Sequence, residues 1–202
     1  MTTARRPYSH RAAGFTLLET LIVVAVVGIL ILISAPAFLG MLNRYKLTGT
    51  TRQVSALMQA ARMEAIKMNA PAQVNYDATE NKFFAFVDLD RDNALAAPPD
   101  RILVASAVVP LKVYFQGPGD GAPNGANAID GWDDAPVRSG PIFNPDGSAD
   151  RVGAYRFKDI GENYLEVRVE TPATGRIVLR KRDRDDGVFY LNGESGHKWV
   201  WY

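Results

Sequence analysis

The strongest constraint on the fold of this chain is one long apolar stretch near its N-terminus. Residues 15–42 read FTLLETLIVVAVVGILILISAPAFLGML, and Glu19 is the one charged residue among them. A bilayer core of about 30 Å requires roughly 20 apolar residues in a helix, so this stretch is long enough to cross a membrane. Arg5, Arg6 and Arg11 precede it. By the positive-inside rule, these arginines place the N-terminus in the cytoplasm and the rest of the chain beyond the membrane.

An ordinary signal peptide or signal anchor is the alternative interpretation of this stretch. A secretory signal has an apolar core of about 7–15 residues, and a small-residue cleavage site follows that core. Here the apolar run is longer, and the candidate cleavage residue, Gly14, comes before it. Glu19 also costs free energy in hydrocarbon unless a partner outside the helix neutralises it. Gly28 and Pro36 mark the interval where we expect the helix to loosen, because proline removes a helical hydrogen bond.

Beyond the apolar stretch, the sequence predicts a helix that continues into a globular head. An amphipathic pattern with apolar residues three and four apart follows Leu42. Ala70-Pro71 disfavours helix, so we expect one helix from Phe15 to about Asn69, roughly 80 Å long at 1.5 Å per residue. Its second half should pack on a sheet. After Pro71 the apolar period changes from helical spacing to alternation, which predicts an α+β fold with one or two antiparallel sheets.

Several segments of alternating apolar and polar residues are predicted to be strands. These segments are 73–76, 82–88, 101–107, 112–115, 155–158, 165–170, 176–182 and 188–191. In segment 165–170, Glu166, Arg168 and Glu170 alternate with apolar residues and are predicted to face water. The interval 117–140 is rich in Gly, Pro, Asp and Asn around Trp132, and we interpret it as a long loop, ordered or mobile.

The composition argues against several functions. The chain has no cysteine, which excludes disulfides and thiolate chemistry. His10 and His197 are its two histidines, so neither a Ser-His-Asp arrangement nor a histidine metal cluster can be proposed, and we expect no enzyme activity. Beyond residue 14 there are 20 basic and 22 acidic residues, a net charge of −2. This charge does not indicate nucleic-acid binding.

An acidic segment follows the second predicted strand. Asp88, Asp90 and Asp92 occupy alternate positions, as oxygen ligands do at the start of a calcium loop. The match is incomplete, because Asn93 replaces the turn glycine and Pro99 stands where a bidentate glutamate would be. Two interpretations stay open: a bound Ca²⁺ as the cofactor, or a solvated turn in which the aspartates cap backbone groups.

The residues where the apolar stretch begins, Gly14-Phe15-Thr16-Leu17-Leu18-Glu19, resemble the N-terminal methylation motif of type IV prepilins and type II secretion pseudopilins. The resemblance implies a type IV pilin-like fold and a structural subunit of a type IV pilus or of a type II secretion filament. It implies that a prepilin peptidase cuts after Gly14 and methylates the new amino group of Phe15. It also implies that Glu19 pairs with the Phe15 amine of a neighbouring subunit, which offsets part of the desolvation of both charges.

The same resemblance implies a division of the chain into three parts. Residues 1–14 are the prepilin leader, 15–42 the transmembrane and filament-core helix, and 43–202 a periplasmic α+β head. The implied location is the inner membrane, with a single pass, before assembly into a periplasmic or surface filament. The implied partners are membrane lipid, other pilin or pseudopilin subunits, prepilin peptidase and the inner-membrane assembly platform.

Three further segments, 53–69, 73–76 and 143–149, resemble the GspH/FimT branch of minor pilins and pseudopilins. FimT-like pilins of competence systems are associated with a C-terminal Gly-Arg-x-Arg motif that binds DNA. Here Arg176 follows Gly175, but the second arginine of the motif is missing at that spacing.

Arg180 and Arg182 follow Arg176 on the same predicted strand face, so a DNA-binding subunit at a pilus tip is the alternative function. The competing interpretation is a water-exposed face whose arginines are neutralised by nearby acids. Those acids are Asp183, Asp185 and Asp186.

The C-terminal residues 196–202, GHKWVWY, extend beyond the usual closing hairpin of this branch. In a strand, Trp199 and Trp201 would share one face, and Val200 and Tyr202 the other. The segment is either a terminal strand that completes the sheet or an exposed aromatic patch for subunit contact or base stacking.

Overall fold

The fold is described by a computed structural model for residues 15–92, 95, 99–132 and 140–199. It consists of one long helix followed by antiparallel sheets, so the α+β prediction is confirmed. The predicted leader 1–14 and residue 93 of the acidic segment lie outside the described residues, as do residues 200–202 of the aromatic C-terminus.

Helix α1 spans Leu17–Met68, close to the predicted bounds. Its end is set by Asn69, which adopts a left-handed conformation with φ of 51°. Asparagine tolerates this conformation because its short polar side chain can bond locally. The N–H of Ala70 then donates to the carbonyl of Ala65 at 3.3 Å, which satisfies one of the last helical carbonyls. Pro71 follows and prevents continuation.

The chain divides into two compact units, Met1–Leu39 and Gly40–Tyr202. In the first unit the described helix carries exposed apolar side chains over nearly its whole surface. By length and composition, α1 can cross a membrane, and it is the one such helix among the described residues. In the second unit the helix is amphipathic, and its buried apolar side chains are three and four positions apart, as expected for a helix packed on a sheet. They are Leu47, Val54, Leu57, Met58, Ala61 and Ala65.

The strands of the head form two antiparallel sheets. Their bounds are β1 Ala72–Asp77, β2 Lys82–Val87, β3 Arg101–Val108, β4 Val113–Phe115, β5 Ile129–Asp130, β6 Ile142–Phe143, β7 Gly153–Asp159, β8 Tyr164–Thr171, β9 Arg176–Arg182 and β10 Phe189–Tyr190. Over the described residues, the first sheet has the order β3-β2-β1-β6. The second has the order β10-β9-β8-β7-β4, and β5 also pairs with β7. All the predicted strands are confirmed, and β5 and β6 are additional.

Aromatic side chains join the two sheets. The ring of Phe83 on β2 lies 4.8 Å from that of Tyr155 on β7 and 5.1 Å from that of Phe115 on β4. The buried Tyr155 hydroxyl donates to the carbonyl of Val74 on β1 at 2.7 Å. Gly140 passes directly beside this bond, where a Cβ would meet the Tyr155 hydroxyl oxygen at 1.7 Å, so only glycine fits.

Two sequence predictions need correction here. Glu166 was predicted to face water, but it is 1% exposed, because charged residues of neighbouring segments cover it. Residues 197–199 do not form a terminal strand, because a 3₁₀ turn at Glu194–Gly196 ends the hairpin and residues 197–199 continue as coil. The predicted loop 117–140 is ordered at Trp132, which is buried against Tyr155 and Gly153.

Candidate functional site

The first candidate site is the N-terminal end of α1. Thr16 precedes the helix, and its Oγ1 accepts the backbone N–H of Glu19 at 3.2 Å. Its carbonyl accepts the N–H of Thr20 at 3.2 Å. Thr16 is therefore the N-cap, and Glu19 is the third helical residue, where a carboxylate interacts favourably with the positive helix end. Phe15 lies immediately before this cap and is exposed.

Glu19 is the lone charged residue on this apolar part of the helix. Among the described residues it forms no ion pair. The side chains around it are mostly more than half exposed, and they include Phe15, Leu17, Leu18, Leu21 and Ile22. A carboxylate in such surroundings requires a counter-charge once water is removed, and this chain's own helix does not provide one.

Gly28 and Pro36 lie within the continuous helix. Pro36 cannot donate a backbone hydrogen bond, yet α1 is helical on both sides of it. Two positions earlier, the Ser34 hydroxyl donates to the carbonyl of Leu30 at 2.9 Å, a bond that often accompanies a bend. No side chain approaches within 4 Å of a Cβ built at Gly28. The predicted loosening between these residues stays a prediction for the assembled filament.

The second candidate site is the acidic loop after β2. One carboxylate oxygen from each of Asp88, Asp90, Asp92 and Asp100 can lie within 4.8 Å of the others. Sequence reasoning placed the first three together, and the structure adds Asp100 from the start of β3. Backbone donors already use several of these oxygens. Arg91 N–H donates to Asp88 at 2.6 Å, and Leu89 N–H donates to Asp100 at 2.9 Å.

The electrostatics of this loop reflect crowding of like charges. The pKa of Asp90 is raised by desolvation and by the charges of Asp92 and Asp100, against the opposing hydrogen bond from the Asp92 N–H. Such a loop can hold a hard cation such as Ca²⁺, which prefers carboxylate oxygens. The observed hydrogen bonds are those of a turn whose aspartates cap backbone groups.

The third candidate site is the arginine-rich strand β9. Arg176 and Arg180 both pair with Glu170 of β8, at 3.1 and 2.5 Å respectively. Arg182 Nε donates to the carbonyl of Gly187 at 3.1 Å, and its guanidinium lies 5.7 Å from the Tyr164 ring centroid. These contacts occupy the three arginines and do not support the DNA-binding alternative.

The acids expected to neutralise those arginines have other partners. Asp183 accepts the Asp185 N–H, which together with His197 lowers the pKa of Asp183. Asp186 accepts the Val188 N–H and the Tyr190 hydroxyl, and these bonds lower its pKa. Arg176 and Arg180 pair instead with Glu170, which offsets one of their two charges, because the facing strand is closer than the following turn.

Sequence reasoning missed a charged cluster on the second sheet, here called the Glu166 cluster, which consists of Asp130, Arg156, Glu166 and Arg168. Arg156 Nε lies 3.2 Å from Glu166 Oε2, and its Nη2 lies 2.9 Å from Asp130 Oδ2. Arg168 Nη1 also lies 2.9 Å from Asp130 Oδ2. Burial raises the pKa of Glu166, while Arg156 and Arg168 oppose that shift. The alternation of β7 and β8 places Arg156 opposite Glu166, but the approach of Asp130 depends on β5 pairing with β7.

The described part of the aromatic C-terminus is held against the head. His197 stacks on Tyr190 with ring centroids 3.8 Å apart, and its Nδ1 lies 2.9 Å from Asp183 Oδ2. Trp199 Nε1 donates to the carbonyl of Tyr190 at 3.2 Å, and the ring packs at the edge of the core. Trp199 is therefore half-buried, and Trp201 lies outside the described residues.

Comparisons with known proteins cover most of the chain. Residues 9–35 match the family model described as Prokaryotic N-terminal methylation motif. Residues 50–175 match the family model described as Type II transport protein GspH. Among solved structures, the minor pseudopilin EpsH from the type 2 secretion system of Vibrio cholerae is similar, with a TM-score of 0.40 and 10% identity over 70% of this chain and 99% of that one. No curated protein sequence matches.

Proposed function

We propose that this chain is inserted into the membrane as a precursor and is assembled into a filament through Glu19. The premise is that the chain belongs to the GspH family and is a structural subunit of a pilin-like filament. Before assembly, residues 15–42 cross the inner membrane as a transmembrane helix. Residues 43–202 form the head in the periplasm. A prepilin peptidase removes residues 1–14 by cutting after Gly14 and methylates Phe15. The assembly platform and other pilin or pseudopilin subunits are the partners.

The observation that carries this proposal is the isolation of Glu19. The carboxylate lies one helical turn from Phe15, whose backbone nitrogen becomes the terminal amine after cleavage. Its own chain provides no counter-charge within the described residues. When subunits pack their apolar helices together, water is removed, and an ion pair between Glu19 and a neighbour's amine offsets part of that desolvation. The pair also fixes the axial position of one helix against the next.

The test is incorporation of Glu19→Ala and Glu19→Gln into filaments. Both variants should insert into the membrane as the wild type does, because removal of a charge favours insertion. Both should be depleted from sheared filaments. Glu64→Ala is the matched control, since it removes a helical carboxylate that pairs with Lys67 in the head. Normal incorporation of the Glu19 variants would refute the assembly role, and an intact Met1 terminus by mass spectrometry would refute processing.

A further inference from the structure

A groove in the head lies directly beyond the apolar stretch. It has a volume of about 360 Å³ and is called the helix groove here. One side is a stripe along α1, and the opposite wall is the ring of Trp199. The lining residues are Met41, Arg44, Tyr45, Thr48, Arg52 and Trp199.

Within the part of the chain that the structure describes, the arginines of the helix groove have no acidic partner. Arg44 is half-buried and Arg52 is exposed, and neither forms an ion pair or side-chain hydrogen bond with any described residue. The sequence explains this, because residues 20–63 contain no aspartate or glutamate. No carboxylate can therefore reach either arginine from one helical turn away.

A third cation lies close to Arg44. Lys181 of β9 is buried, and its pKa is lowered mainly by this burial, with smaller contributions from the positive charges of Arg184 and Arg44. Asp183 and Asp159 partly offset the charge of Lys181. Arg44 is half-buried and has no ion pair with a described residue, so an anion in the helix groove would offset its charge.

The position of the helix groove indicates the source of that anion. Arg44 lies two residues beyond Leu42, or about 3 Å along the helix axis, and Thr48 lies about 9 Å beyond it. The headgroup region extends roughly 5–7 Å beyond the hydrocarbon on each side of a bilayer, so Arg44 lies within it and Thr48 lies just outside it. Tyr45 and Trp199 are the residue types that are enriched at this depth. Along the groove, polarity increases from Met41 towards the arginines, in the same direction as in a phospholipid.

We propose that the helix groove binds the phosphodiester headgroup of an anionic phospholipid while the subunit resides in the membrane. Arg44 donates to the phosphate oxygens, and Arg52, further along α1, contributes positive charge. Met41 contacts the first acyl carbons, and the Trp199 ring forms the groove wall opposite α1. Loss of this lipid on extraction from the bilayer would be part of the transition into the filament. The inference rests on the proposed span of residues 15–42.

The experiment measures lipid selectivity of the full chain in vesicles of phosphatidylcholine with a minor fraction of spin-labelled phosphatidylglycerol or phosphatidylcholine. The wild type should prefer the anionic label. Arg44→Gln should reduce that preference on the order of tenfold, because a charge-assisted contact is lost. Arg52→Gln should reduce it less. Lys46→Gln is the matched control, because Lys46 lies on the same helix turn but does not line the helix groove.

Each outcome bears on the inference. An equal loss in Lys46→Gln and Arg44→Gln would overturn it, since the attraction would then be general surface charge. Displacement of the labelled lipid by millimolar inorganic phosphate would also overturn it, because the site would then bind a free anion. Unchanged lipid preference in Arg44→Gln, with reduced filament incorporation, would assign the groove to an acidic side chain of another subunit. Failure of the wild type to insert would refute the span, whereas insertion without selectivity refutes this inference alone.

Discussion

The Glu166 cluster and the helix groove both contain two arginines, but only the first contains carboxylates. In the Glu166 cluster, Arg156 faces Glu166 across an antiparallel pair, where side chains are about 5 Å apart. In the helix groove, Arg44 has only uncharged residues one helical turn away. The first arrangement holds segments of one chain together, whereas the second leaves two arginines without an ion pair to any described residue. Similar arginine content therefore has different consequences, which depend on the facing element.

The largest expected effect concerns removal of the buried carboxylate. Glu166→Ala leaves Arg156 and Arg168 with Asp130 as their remaining acidic partner in the cluster. Arg156 and Arg168 are partly exposed and keep Asp130, so the loss should be about 1.5–3 kcal/mol of unfolding free energy, the range for hydrogen bonds to charged groups. Glu64→Ala, at the partly exposed pair with Lys67, should cost at most about 0.5 kcal/mol. Urea unfolding of residues 43–202 measures both, and equal small losses would show that water screens the Glu166 cluster.

A second effect is a pH dependence of opposite sign at two sites. Burial raises the pKa of Glu166 above its ordinary value of 4.5, so its contribution to stability is fully present below 4.5 and is lost as pH rises through the folded pKa. The stability of wild type relative to Glu166→Gln should therefore fall as pH rises. The pKa of Asp186 is lowered by the Val188 N–H and the Tyr190 hydroxyl.

The stability of wild type relative to Asp186→Asn should accordingly fall as pH decreases towards the folded pKa of Asp186. Urea unfolding of the wild type and the two variants, from about pH 3 to about pH 8, resolves both differences. The same sign for both residues would contradict the assignment of Glu166 as buried and Asp186 as hydrogen-bonded at the surface.

The helix and strands could be predicted because their signals are periodic and local. Helical spacing ended at Ala70-Pro71, and alternation then marked each of the longer strands. Glu166 was misplaced because alternation identifies two strand faces but not what covers the second one. Arg156 and Arg168 cover Glu166, and their second partner, Asp130, is 36 positions away in sequence and arrives through the pairing of β5 with β7. The helix groove could not be predicted either, because Trp199 reaches α1 from the other end of the chain.

A third, smaller effect concerns DNA. Because Glu170 pairs with both Arg176 and Arg180 and offsets part of their charge, wild-type residues 43–202 should bind labelled duplex weakly, with little dependence on salt. Glu170→Gln frees both arginines and should steepen the log-log salt slope by about −0.9 for each phosphate contacted. Glu80→Gln, which removes the exposed partner of Lys82, is the charge-matched control. Micromolar, salt-sensitive binding by wild type that Arg180→Ala/Arg182→Ala abolishes would instead support the DNA-binding alternative.

The smallest expected effect is that of calcium on the acidic loop, which differs from both arginine clusters because all four of its clustered side chains have the same charge. Asp88 and Asp100 already accept backbone N–H groups, so we expect the turn to hold without a cation. Calcium at a hundredfold excess over its dissociation constant would add about 2.7 kcal/mol and raise Tm by roughly 5–10 °C. We expect a rise of less than about 2 °C for residues 43–202, and no difference between wild type and Asp92→Asn.

A larger, calcium-specific rise that Asp92→Asn removes, and that magnesium does not reproduce, would establish the loop as a calcium site. The like charges would then be the ligands of an ion, as Arg44 is proposed to be for a phosphate.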